Sequence, residues 1–223
     1  MITGNHVGVT VPAAPAKPRL RGVSHQIAAI AFPFLGLALV APADGAAAKW
    51  SVLVYTLGLT LMYATSAAYH RGHWTEPVRV RMRRLDHAMI VVAIASTYTP
   101  IAVIGLSHHS ARVLLSVVWA LAVVGVALQM LWLNAPRWIV ALLYIGLGWT
   151  AVAFAPTLWR DLGVLTFSLL LAGGIVYSLG AVVYSTRRPD PVPEVFGYHE
   201  IFHALVITAG LLFYVAIARV VLT

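Results

Sequence analysis

The sequence predicts an all-α integral membrane protein: a bundle of seven transmembrane helices with a cytoplasmic N-terminus and the C-terminus outside. Three observations predict it. Of 223 residues 61% are hydrophobic, against 15 Lys plus Arg and 7 Asp plus Glu, too few charges to cover the surface of a soluble domain. The charges are also segregated, because stretches of 18 to 25 residues free of Lys, Arg, Asp and Glu lie between them, and about 20 apolar residues cross a bilayer as a helix. Finally, Lys and Arg fall unevenly on the two sides that these stretches define, which is the bias that orients membrane proteins. A net charge of +8 then serves topology and lipid-headgroup contact rather than nucleic acid, which is excluded as a partner. There is no cysteine, so disulfides, thiolate catalysis and Cys-containing metal sites are excluded. Any metal must be held by His and carboxylate.

Residues 1–21, rich in Ala, Pro and Val with Lys17, Arg19 and Arg21 at the end, show no helical or strand period and are expected to be a mobile tail. Residues 22–223 form one seven-helix domain, with apolar windows at 22–43, 50–70, 87–111, 113–136, 138–159, 162–186 and 201–218. The first window, ending Ala41-Pro42-Ala43, shares features with a cleavable signal peptide. Its roughly 18 apolar residues exceed the 7–15 of a signal core, so it is read as a retained span. With the N-terminus inside, the cytoplasmic side collects Lys17, Arg19, Arg21, Arg71, Arg79, Arg81, Arg83, Arg84, Arg137, Arg187 and Arg188, eleven in all. The other side holds four, Lys49, Arg112, Arg160 and Arg219. No internal repeat suggests a transporter of inverted halves.

Ionisable groups at membrane depth are costly and mark function by default. Span 2 ends with Ser66 and His70 on one helix face at i and i+4. Span 3 begins Leu85-Asp86-His87, and span 7 begins Tyr198-His199-Glu200-Ile201-Phe202-His203, with two histidines again at i and i+4. The topology thus delivers Ser66, His70, Asp86, His199 and His203 to one depth near the cytoplasmic face. Three neutral imidazoles with an open fourth position make a catalytic zinc site, in which water can be activated near neutral pH. Asp86 suits the orientation or deprotonation of that water, and Ser66 a hydrogen bond to it or to a developing oxyanion. An imidazole site also accepts other divalent metals.

Each residue also has an ordinary reading. His70 beside Arg71 is a polar-tipped ring at a membrane boundary. Asp86 near four arginines is an acid at a helix start, and Ser66 is a small packing residue. Convergence at one depth is what favours the joint site. His199-Glu200-x-x-His203 also matches the zincin pattern, in which Glu200 would be the base of a membrane metalloprotease. No further ligand follows it downstream, where the one charged residue is Arg219. His25, near the cytoplasmic start of span 1, could approach the site but reads rather as a polar boundary residue, and His87 as a packing or hydrogen-bonding partner about 100° around the helix from Asp86. His6 and His73 fall in tail and loop, and His108 and His109 outside. Ser96-Thr97-Tyr98-Thr99-Pro100 predicts a proline kink in span 3 and a flexed wall for a lipid pocket. The basic loop Arg71–Arg84 is suited to lie on anionic headgroups and to gather anionic lipid near the site.

These motifs, Ser66-x-x-x-His70, Leu85-Asp86-His87 with Ser96-x-Tyr98-Thr99-Pro100, and His199-Glu200-Ile201-Phe202-His203, resemble the hemolysin III family, the bacterial branch of the progestin and adipoQ receptor superfamily. The resemblance spans all seven windows. It implies a seven-helix fold with the N-terminus inside, zinc held by His70, His199 and His203, a water-contacting Asp86 and the motif serine Ser66. The wider group is similar to alkaline ceramidases at this site, which implies hydrolysis of a lipid amide. Bacterial members carry a hemolysin name and are also associated with membrane-lipid and fluidity homeostasis, so the family name does not settle the activity. The short tail lacks the large cytoplasmic region of the animal receptors, which argues against a hormone-receptor role. The expectation is therefore a multi-pass protein of the bacterial cell membrane with membrane lipids as partners, acting as a zinc hydrolase on a lipid amide or ester. The alternatives are a non-catalytic lipid sensor or membrane-lysing protein with structural zinc, and the zincin-like protease.

Overall fold

A computed structural model describes residues 17–132 and 135–223 and is all-helical. Its helices are α1 (Val23–Val40), α2 (Gly45–Arg71), α3 (Glu76–Gly105), α4 (His108–Leu131), α5 (Arg137–Gly148), α6 (Ala155–Thr186) and α7 (Tyr198–Leu222). A 3₁₀ segment, Trp149–Phe154, joins α5 to α6. Among the described residues six stretches are long and apolar enough to cross a membrane, five of them single helices and the sixth the 49 residues Trp138–Thr186. The expected tail lies outside the described residues except for its last five. There the Arg19 and Leu20 amides donate to the carbonyls of Glu194 and Val195, at 3.0 and 3.2 Å, so the approach to α1 is tied to the loop before α7.

Helix faces are told apart by packing, since both faces are apolar. On α1, Ile27, Ile30, Phe34 and Leu37 are exposed, while His25, Phe32, Gly36 and Leu39 are buried. Each set recurs at helical spacing, which separates a lipid-facing stripe from a bundle-facing one. A Cβ on Gly36 would collide with Thr56 of α2, and one on Gly58 of α2 with Ser96 of α3. Small residues therefore let these backbones close up, the usual basis of helix association in lipid. The centre is α3, which packs on α2, α4, α5 and α7, and α1 also touches α7.

One boundary differs from expectation. The basic segment before span 3 is not a loop throughout, because Glu76–Arg84 form the first turns of α3. Pro77 suits the first turn, Glu76 complements the helix dipole, and arginine is a good helix former. Helix α3 runs unbroken through Pro100, where Ser96, Thr97 and Thr99 donate their hydroxyls to the carbonyls four residues back at 2.8, 2.8 and 3.1 Å.

The 49-residue stretch is interrupted twice. Helix α5 stops at Gly148, and Tyr98 of α3 repairs the break, donating to the Gly148 carbonyl at 2.5 Å and accepting the Ala151 amide at 3.0 Å. Within α6, Gly163 has φ 74° and ψ 168°, a region that essentially only glycine occupies. Trp149 donates to Ser178 at 2.8 Å, and Trp159 and Phe167 pack with ring centroids 5.4 Å apart. Both pairs sit almost symmetrically about Gly163, so the chain doubles back there.

Candidate metal centre

The end of α2 and the starts of α3 and α7 meet at one end of the bundle. His70 comes from the last turn of α2, where its ring meets those of His199 and His203 at centroid distances of 4.6 and 5.1 Å. The i, i+4 spacing of His199 and His203 puts both on one face of α7, centroids 4.6 Å apart. One ligand nitrogen from each of the three histidines lies within 4.8 Å of the others, and the His70 and His199 Nε2 atoms stand 3.1 Å apart. Two nitrogens bound at about 2.0–2.1 Å in a tetrahedron would be about 3.4 Å apart, so the cluster fits a metal ion with little adjustment. The Nδ1 of His203 is buried with no hydrogen-bond partner, an orphaned atom of the kind that a ligand site explains.

Asp86, the first buried residue of α3, places Oδ2 3.7 Å from the His70 Nε2, and Ser66, one turn before His70, lines the same small pocket as Asp86. Ser66, Asp86, His199 and His203 line a pocket of about 20 Å3, room for one water. All five expected site residues therefore converge. His87 behaves as the packing partner expected of it: its carbonyl accepts from Tyr144 at 3.2 Å and its Nε2 lies 3.5 Å from the Tyr184 hydroxyl. His108 and His109 begin α4, some 20 residues of helix from Asp86, which is about 30 Å.

Glu200 is turned to another task. Its carboxylate takes the Arg21 Nε at 2.5 Å and the Gly197 amide at 2.9 Å. It therefore caps the start of α7 and clasps the segment before α1, which is not the posture of a zincin base beside its metal.

Sequence reasoning underweighted one contributor, His25, and missed two, Arg21 and Tyr144. His25 is 2% exposed and stacks on His203; it is the one ionisable residue inside span 1, yet only the contact of α1 with α7 brings it to the site. Arg21, assigned to the tail, is fixed by Glu200. Tyr144 lies in the middle of an apolar run with nothing around it to mark it.

The pocket is a waist between two larger spaces. An apolar chamber of about 100 Å3 lies deeper, between α2, α3, α5, α6 and α7, and shares Met62, Tyr144 and Val206 with the pocket. Thr97, Tyr98 and Ile101 of the proline segment form part of its wall. On the other side a polar chamber of about 450 Å3 shares Asp86, His87, Tyr184 and His199 with the pocket, and His70 lines it as well.

Comparison with known proteins follows the same lines. The family described as "Haemolysin-III related" matches residues 14–214. "Hemolysin-3" of Bacillus cereus is 35% identical over 167 residues, 73% of this chain and 75% of that protein. "Hemolysin-3 homolog" of Bacillus subtilis (strain 168) is 28% identical over 161 residues, 71% of this chain and 72% of the relative. "Heptahelical transmembrane protein ADIPOR2" of Oryza sativa subsp. japonica is 33% identical over 185 residues, 76% and 81% of the two chains.

Proposed function

The chain belongs to the haemolysin III-related family, and on that premise we propose that it is an intramembrane, zinc-dependent hydrolase of a lipid amide or ester. The observation that carries this reading is the placement of His70, His199 and His203 at the waist between an apolar and a polar chamber. A lipid entering laterally between helices and threaded through the waist would lay its acyl chain among Met62, Tyr98 and Val206 and its headgroup in the polar space. Its carbonyl would then stand at the histidines. A zinc ion held by the three imidazoles would supply a Lewis acid and bring the acidity of water close to neutral pH.

The residues around it supply positioning and proton transfer. Asp86 takes a proton from a water in the small pocket, and a hydrogen bond from Ser66, which lines the same pocket, would hold its carboxylate toward that water. The water oxygen bonds to the carbonyl carbon, and the bond from that carbon to nitrogen or oxygen breaks. Asp86 then returns the proton to the leaving amine or alcohol, so a fatty acid and the headgroup fragment are the products.

The proposed topology is seven crossings with the N-terminus in the cytoplasm, in the bacterial cell membrane. Parity supports it. The segments before α1 and before α7 are hydrogen-bonded at one end of the bundle, so an even number of crossings separates them. Four come from α1 to α4, and Trp138–Thr186, reversing at Gly163, supplies two. The eleven-to-four excess of Lys and Arg orients that end inward.

The experiment is metal content by mass spectrometry together with fatty-acid release from matched N-acyl and O-acyl lipids, on detergent-purified protein. Wild type should hold about one zinc per chain and release fatty acid. Asp86→Asn should keep the zinc and lose release, and His199→Ala/His203→Ala should lose both. Folded wild type without zinc would overturn the proposal.

A further inference from the structure

The polar chamber is lined by Arg21, Arg83 and Arg84, and among the described residues Asp86 is the only carboxylate in its lining. Basic residues are expected at this end as topology signals, but burial sorts them into two groups. Arg71, Arg79 and Arg81 are exposed, and none of them lines the chamber. Arg83 and Arg84 are half-buried and do line it. The Arg84 Nε is buried with no hydrogen-bond partner, a donor withdrawn from water whose desolvation cost an acceptor would recover. Arg21 is held in its place by Glu200, which is not part of the lining.

A space of about 450 Å3 is of the size that holds small ligands. Guanidinium groups match phosphate in geometry as well as charge, since their planar fork can donate two parallel hydrogen bonds. A bare amine leaving group, cationic near neutral pH, would instead meet like charge. The chamber also lies on the far side of the waist from the apolar one, where the headgroup of a lipid with its chain in the apolar chamber must go.

We infer that the polar chamber receives a phosphate borne by the lipid, so that the substrate class is a phosphate-headed acyl lipid rather than a neutral, ceramide-like one. This deepens, and rests on, the hydrolase reading for the word substrate; as a binding site it stands by itself. The chain occupies the apolar chamber, and the phosphate sits against Arg83 and Arg84, with Arg21 closing the side toward α7.

The test is a native mass spectrometry titration of the full chain in detergent, stripped of metal with chelator so that zinc cannot hold the phosphate. The probes are oleoyl lysophosphatidic acid and monooleoylglycerol, which share chain and ester and differ by the phosphate. Wild type should bind the phosphorylated lipid about tenfold more tightly, the worth of one charge-assisted hydrogen bond. Arg83→Gln/Arg84→Gln should remove that preference and keep the affinity for monooleoylglycerol. Arg79→Gln/Arg81→Gln, on the outer surface, should leave the preference intact. Equal binding of the two lipids by wild type overturns the inference, and this arm needs no variant to fold. A preference that survives the chamber variant, or that disappears in the surface variant, overturns it too. Inorganic phosphate bound as tightly as the phosphorylated lipid would overturn the assignment to a lipid. Hydrolysis is not read in this experiment: selective binding without cleavage upholds the chamber against the hydrolase, and cleavage without selectivity does the reverse.

Discussion

The imidazole rings of His25 and His203 lie face to face, with centroids 3.8 Å apart and planes 10° from parallel. His203 belongs to the cluster that can hold the metal, whereas both ring nitrogens of His25 are buried without a hydrogen-bond partner. The stack, together with the edge contact of His25 on Tyr63 at 5.2 Å, fixes the plane of the His203 ring from the side of α1. A flat ring is what this task requires. His25→Ala should therefore lower metal affinity by about tenfold or more, the usual cost of losing a residue that orients a ligand. His25→Phe should keep it near wild type, and competition with a chelator of known affinity measures both. An alanine variant with unchanged affinity would remove the positioning role.

Glu200 ties Arg21 to the start of α7, so its loss should be felt in stability rather than chemistry. Glu200→Ala leaves the Arg21 guanidinium and the Gly197 amide without their acceptor, at a cost of about 1–3 kcal/mol, visible as a lowered Tm in detergent. Metal content should be unchanged. Fatty-acid release should survive Glu200→Gln, whereas a zincin-type protease would lose its activity in that variant.

The features legible in the sequence share a cause. Helices in lipid must be long, apolar and free of charge, so their windows can be counted. A membrane also makes each polar residue conspicuous, which is how Ser66, His70, Asp86, His199 and His203 could be placed at one depth before any packing was known. The rest depends on contacts between segments distant in the chain. His25 matters because α1 packs on α7, and Arg21 because its partner is 179 positions away. Amphipathicity could not have told Ile27 from Phe32, since lipid and protein interior are equally apolar. The basic segment after α2 was misjudged as a loop because charge density obscured a helix that Pro77 and Glu76 begin.

Ser66 and Asp86 line one small pocket, and under the proposed hydrolase mechanism the carboxylate would act and the hydroxyl would aim it. Ser66→Ala should retain metal and reduce kcat by about tenfold, the worth of one hydrogen bond to a charged group. Asp86→Asn should reduce kcat much further, because the proton acceptor itself is gone. Steady-state kinetics on one lipid with both variants decides this: equal losses would place Ser66 in direct contact with the reacting carbonyl instead.

The turn at Gly163 makes a prediction about topology as well as stability. A Cβ there meets nothing within 4 Å, so Gly163→Ala tests the backbone alone, and its φ of 74° should cost about 1–3 kcal/mol in any residue with a side chain. If the stretch from Trp138 to Thr186 crosses the membrane twice, Gly163 marks its outer turn. The chain has no cysteine, so single-cysteine variants report position without background. Asp161→Cys should react in intact cells with a membrane-impermeant maleimide. Arg187→Cys should react only after the membrane is permeabilised, because Arg187 caps the end of α6, on the side that the proposed topology puts in the cytoplasm. Labelling of both from the same side without permeabilisation would place the two ends of the segment that follows Gly163 on one side of the membrane. The parity argument for seven crossings would then fail, whatever the histidine cluster does.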